Sequence, residues 1–170
     1  MRLHHMCLIT ADLEQSIKFW RDIMGFTLKV KAELPDGESP DSLCTPKLLD
    51  DSFGIRGARS KMAILTSEND GSFIELQQPQ NPNVQLTPPE NLRYAHTGVH
   101  ELGLVVENID EMFEKVRAAG LRTNTDYIWS TAHRSVVPGE VPPPDGRSFI
   151  FSDYEGNMIQ LWQYINRSPA

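Results

Sequence analysis

The sequence predicts an α+β fold made of two related modules, and three observations carry that prediction. A strand, helix, glycine, strand pattern opens the chain and starts again near residue 99. One spacing superposes landmarks of the two copies: His5 and His100 are 95 residues apart, and so are Gly25 and Gly120. Each copy closes on two strands joined by a short polar hairpin. Repetition of a whole set of elements in the same order is the signature of a duplicated unit.

The elements follow in order. Leu3 to Thr10 is rich in strand-compatible residues. Asp12 is an N-cap with Gln15 three residues on, and Leu13, Ile17, Trp20 and Met24 make one apolar helical stripe. Gly25 stands where a helix-ending glycine belongs, and Phe26 to Val30 reads as a strand. Residues 31–60 form an irregular excursion, in which Thr45-Pro46 opens a short helix through Leu49. Lys61 to Ser67 and Ser72 to Gln78 are strands, joined through residues 68–71. The second copy has a strand at Val99 to Val106 and a cap at Asn108 with Glu111. Ile109, Met112, Phe113 and Val116 form its stripe, and Gly120 ends the helix. Strands at Ser148 to Ser152 and Asn157 to Tyr164 follow. The expected division is a first module at 1–78, a proline-rich linker at 79–97 and a second module at 98–166. The closing strands, around Glu75 and Gln160, are 85 apart, so the excursion accounts for the first module's extra length.

Composition narrows the function classes. Of the 170 residues, 39% are hydrophobic and 23% charged, which is globular usage and excludes wholesale disorder. The net charge of −7 and the lack of a Lys/Arg cluster argue against nucleic acid. No apolar run approaches the ~20 residues of a membrane span, and the first residues lack a signal-peptide core. Two cysteines, Cys7 and Cys44, do not make a disulfide framework. The expectation is a cytoplasmic protein acting on a small molecule.

The first and last strands of each module offer His5 with Glu75 and His100 with Gln160. Side chains alternate along a strand, so one residue per strand can face a cavity. Two imidazoles, a carboxylate and an amide oxygen suit a divalent transition metal. A strand histidine taken singly reads as an ordinary hydrogen-bonded residue, and it is the repetition that raises the metal reading. Strand alternation does not separate His4 from His5. Arg56, Arg59 and Arg134 are candidates for gripping a substrate carboxylate or phosphate, and Trp129, Tyr127 and Trp162 for lining an apolar pocket. Cys7, on the strand face of His5, reads as a buried thiol.

Leu3-His4-His5-Met6-Cys7-Leu8-Ile9, then residues 12–26, Phe73-Ile74-Glu75-Leu76, residues 100–106 and residues 153–162 together resemble the vicinal oxygen chelate superfamily. That superfamily holds glyoxalases, methylmalonyl-CoA epimerases, extradiol dioxygenases and resistance proteins. The resemblance implies paired βαβββ modules forming an eight-stranded, incompletely closed barrel around a metal site. It implies His5, Glu75, His100 and Gln160 as ligands of one ion, with nickel, zinc, cobalt, iron, manganese and magnesium all open. It also implies a homodimer. The position of Gln160 is usually glutamate in the superfamily, and the amide tilts the expectation toward glyoxalase- or epimerase-like isomerase or lyase chemistry. Glu75 is then the general base for a proton next to a carbonyl. A glutamine cannot serve as a second base, which disfavours epimerisation; His133 and Glu140 are substitutes. The alternatives are a non-catalytic resistance-type binding protein and an extradiol-type dioxygenase.

Overall fold

The computed structural model describes residues 4–92, 94, 97–132, 138–139 and 145–165. The chain divides into two compact units, Met1–Leu86 and Thr87–Ala170.

In the first unit, β1 (His5–Ile9), β2 (Thr27–Leu34), β3 (Arg59–Thr66) and β4 (Phe73–Asn81) form one sheet in the order β1-β4-β3-β2. β1 runs parallel to β4 and the other pairs are antiparallel. Helix α1 (Leu13–Lys18) starts at Asp12, whose side chain accepts from the Gln15 N–H. It runs into a π-helical turn, Phe19–Ile23, in which Met24 N–H donates to Phe19 C=O. Leu13, Ile17, Phe19 and Trp20 are buried, as are Ala63, Leu65, Ile74 and Leu76 on the sheet face that alternation gives to the helix. The π turn brings Phe19 inward beside Trp20, a burial that the regular apolar stripe does not anticipate.

The other sheet face carries the functional interest. The excursion is more ordered than its sequence suggests. β2 continues to Leu34, and α2 (Pro46–Phe53) starts on a Thr45 cap and ends at Gly54, φ 69°. Leu34, Cys44, Leu49, Ala58 and Met62 form an apolar cluster there, with Ala32 and Ile64 packed against it. The excursion therefore covers the β2–β3 end of this face. His5, Cys7 and Glu75, on β1 and β4, lie toward its other side.

In the second unit, β5 (Glu101–Val105), β6 (Trp129–Thr131), β7 (Gly146–Ser152) and β8 (Met158–Tyr164) take the corresponding order β5-β8-β7-β6. β6 has three residues and was not expected; it is too short to show a period of two. Helix α3 (Ile109–Ala118) starts on an Asn108 cap and buries Ile109, Phe113 and Val116. Phe113 meets Phe149 edge to face at 5.0 Å. No helix of the described residues is long and apolar enough to cross a membrane.

The spacing of 95 needs a correction. Cys7 is paired with Glu75, and Gly103 with Gln160, so the first strands of the two units correspond at a spacing of 96. The caps Asp12 and Asn108 agree, as do buried Ile17 and Phe113. The π turn adds one residue to the first helix, and the spacing falls to 95 only beyond it, at Gly25 and Gly120. By register, His100 corresponds to His4, and the counterpart of His5 is Glu101.

Candidate metal centre

In the first unit, β1 and β4 bring His5 and Glu75 together. His5 Nε2 lies 3.7 Å from Glu75 Oε2. The His5 ring stacks on Phe73, with centroids 5.2 Å apart and planes 6° from parallel, and His4 meets the same ring edge-on. The Nδ1 atoms of His4 and His5 are 2.9 Å apart, so one donates to the other. When His5 is that donor, its Nε2 carries a lone pair. It then faces the carboxylate oxygen as one acceptor facing another, an arrangement a shared cation satisfies. Two donors on a tetrahedral zinc-like ion sit about 3.4 Å apart, close to the separation present.

A chain of buried polar groups sets the Glu75 carboxylate. Gln77 lies two residues on, on the same face, and is 8% exposed. Its amide nitrogen donates to Glu75 Oε1 at 2.8 Å. An ionised carboxylate only accepts, so this contact fixes the amide orientation and turns the Gln77 oxygen to Ser60, whose hydroxyl donates at 2.6 Å. Cys7 Sγ also approaches Glu75 Oε1, at 3.8 Å. Cys7 is exposed as a residue, yet its sulfur is partly desolvated. That desolvation, and then the neighbouring carboxylate, push the thiol up to about 11. Oε1 is thus engaged, and Oε2 faces His5. Gln78, on the opposite face, donates to Ala11 C=O and helps seat the start of α1.

In the second unit, Ser148 is fully buried and its hydroxyl donates to Leu161 C=O at 2.8 Å. Its one proton is used there, so toward Gln160 it can only accept, and the amide nitrogen of Gln160 donates to it at 2.8 Å. The nitrogen is held and the amide oxygen is left as the free donor atom. Trp129 pairs with Ser148, and Trp162 does so from the other side, so both indoles share the face of Gln160. Trp162 lies against Gly146, where an added Cβ would come within 2.2 Å of the ring. His100 precedes β5. Its Nε2 is buried without a hydrogen-bond partner among the described residues and sits near the Gly98 loop. Glu101 heads β5 and accepts from the Tyr94 hydroxyl at 2.6 Å, a bond that pushes the Tyr94 phenol up to about 12.

Within the first unit, Arg59 does not lie beside His5 and Glu75. Arg59 pairs with Asn81 at the far end of β4, about 20 Å along the strand from Glu75, in a surface cleft with Glu33 and Gln80. Arg56 is exposed between α2 and β3. Arg134, His133 and Glu140 lie outside the described residues. Tyr127 is exposed. No three His, Cys, Asp or Glu side chains among the described residues are grouped as a metal cage. The orienting residues Gln77, Ser60 and Ser148 were missed by sequence reasoning; the signal for Gln77 was its i+2 position from Glu75.

Comparison with known proteins decides the family. The glyoxalase/bleomycin resistance protein/dioxygenase superfamily model matches residues 2–161. The chain belongs to this superfamily. Among solved structures, a glyoxalase family protein from Bacillus cereus is similar with a TM-score of 0.75 and 16% identity, over 98% of this chain and 95% of that one. A glyoxalase/dioxygenase from Nostoc punctiforme gives 0.59 and 20%, over 97% and 92%. A fosfomycin resistance protein from Listeria monocytogenes, complexed with manganese(II) and sulfate, gives 0.55 and 15%, over 96% and 93%. No curated protein matches. At these identities the likeness to solved structures concerns the fold, which agrees with the two β-α-β-β-β units expected of the glyoxalase superfamily.

Proposed function

We propose that the chain is a metal-dependent isomerase or lyase of the glyoxalase type, moving a proton next to a carbonyl. Its candidate donors are His5 and Glu75 in the first unit, and Gln160 with a residue at the start of β5 in the second. The observation that carries this reading is the His5 Nε2–Glu75 Oε2 approach at 3.7 Å, with Oε1 already held by Gln77. The Gln160 amide oxygen, freed by the Ser148 contact, fits the same donor chemistry. The manganese(II) complex of the Listeria protein places a divalent ion in a protein of this fold.

When bound, the ion supplies positive charge beside a substrate carbonyl oxygen and eases loss of the adjacent C–H proton. Glu75 takes that proton at Oε2, the oxygen not held by Gln77, and returns it to the neighbouring atom as a one-base shuttle. Gln77 and Ser60 keep the carboxylate aimed while it does so. The neutral Gln160 amide cannot take up a proton, so the shuttle uses one base. Trp129 and Trp162 supply apolar surface on the face of Gln160 that keeps water from the reacting carbon. We expect a homodimer, which light scattering checks, and a cytoplasmic location, which fractionation of the native cell checks.

The test is solvent exchange. Metal-loaded protein is offered small α-hydroxy and α-keto carbonyl compounds in deuterium oxide, with wash-in followed by proton NMR. Glu75→Gln keeps an oxygen donor, loses the base and abolishes wash-in. Ligand binding that survives His5→Ala, without exchange on any compound, overturns the enzyme reading in favour of a binding protein.

A further inference from the structure

Glu101 occupies the position in the second unit that His5 occupies in the first. The ladders place Cys7 opposite Glu75 and Gly103 opposite Gln160, and His5 and Glu101 each stand two residues before those partners. Residues two apart on a strand share a face, so Glu101 shares the face of Gln160, as His5 shares that of Glu75. His100 stands one residue earlier, ahead of β5, with its Nε2 buried beside the Gly98 loop. The two carboxylates are also prepared alike. Gln77 holds Glu75 by Oε1, and Tyr94 holds Glu101 by Oε2 at 2.6 Å; the other oxygen of Glu101 has no partner among the described residues. A carboxylate with one oxygen tied by a neutral donor is set to offer the other to a cation.

We propose that Glu101, not His100, is the second donor of this unit, with Tyr94 as its positioning residue. This rests on the metal reading above. Within this unit the donors become one carboxylate and one amide oxygen. Two oxygen donors, one of them charged, suit a hard divalent cation, manganese(II) or magnesium, over nickel, copper or zinc.

The test uses the full chain freed of metal by chelator, titrated with manganese(II) by calorimetry and by loss of the free-ion EPR signal. Glu101→Gln, close in shape, weakens binding by more than about tenfold, and Tyr94→Phe by about tenfold. His100→Ala changes it by less than about threefold. Glu101→His retains binding and moves the preference from manganese toward zinc. Circular dichroism confirms that each variant is folded. If His100→Ala abolishes binding while Glu101→Gln leaves it intact, the inference is overturned and the metal reading stands with His100 as donor. If the wild type takes up no divalent ion, the metal reading falls and the inference falls with it.

Discussion

Replacing Ser148 by alanine separates orientation from mere presence at the candidate site. The hydroxyl is fully buried, donates to Leu161 C=O and accepts from Gln160, both at 2.8 Å. Its removal deletes two hydrogen bonds worth about 1 kcal/mol each net. Gln160 is half-buried and its amide can turn to water, so a further full desolvation penalty does not apply. The expected loss is about 2 kcal/mol, which for a chain of this length lowers Tm by roughly 4–8 °C. The second effect concerns the ion. Once released, the amide no longer presents its oxygen by default, and divalent metal affinity falls about tenfold, as for other orienting contacts around metal sites. Thermal melts followed by circular dichroism and metal calorimetry on the same samples read both. A variant that melts early but binds metal like the wild type would refute the orienting role of Ser148. One that matches the wild type in both would refute the hydrogen-bond assignment itself.

Three further outcomes are expected. Cys7, with its thiol pushed up to about 11 by desolvation and by Glu75, reacts slowly with iodoacetamide at pH 8. Glu75→Gln removes the carboxylate and speeds that alkylation several-fold, since desolvation, the larger cause, remains; an unchanged rate refutes the contact. Asp36 is held below its usual range by the backbone N–H groups of Cys44 and then Leu43, at 2.8 and 3.0 Å. A depressed folded pKa gives stability that is present above the unfolded value near ~3.9 and lost as pH falls through the folded one. Protection of the Leu43 and Cys44 amides from hydrogen exchange therefore drops below about pH 4, and Asp36→Asn removes that dependence; an unchanged pH profile in the variant contradicts it. Gly146→Ala drives a Cβ into the Trp162 indole and costs about 1–3 kcal/mol by denaturant titration, whereas a neutral result would mean the indole moves freely.

The sequence was most legible where local rules are strong. Both N-caps, the helix-ending glycines and the closing hairpins lie where their residues place them, because each depends on neighbours within four positions. The excursion was only partly legible: Thr45-Pro46 marked the helix start, but the extension of β2 to Leu34 depends on pairing with β3. The repeat spacing misled for a physical reason. A π turn leaves no composition signal, and its one added residue shifted the correspondence of the two histidines. His5 and Glu75 were found by residue type and strand position. Gln77, Ser60 and Ser148 were not, because their roles depend on which proton goes to which oxygen across neighbouring strands.

The central claim is that His5 and Glu75 help hold a divalent ion. Elemental analysis of untagged wild type after reconstitution, beside a His5→Ala, Glu75→Ala double variant, tests it most directly. The account predicts about one divalent metal per chain in the wild type and none in the variant. Equal metal in both, or none in the wild type, would contradict it.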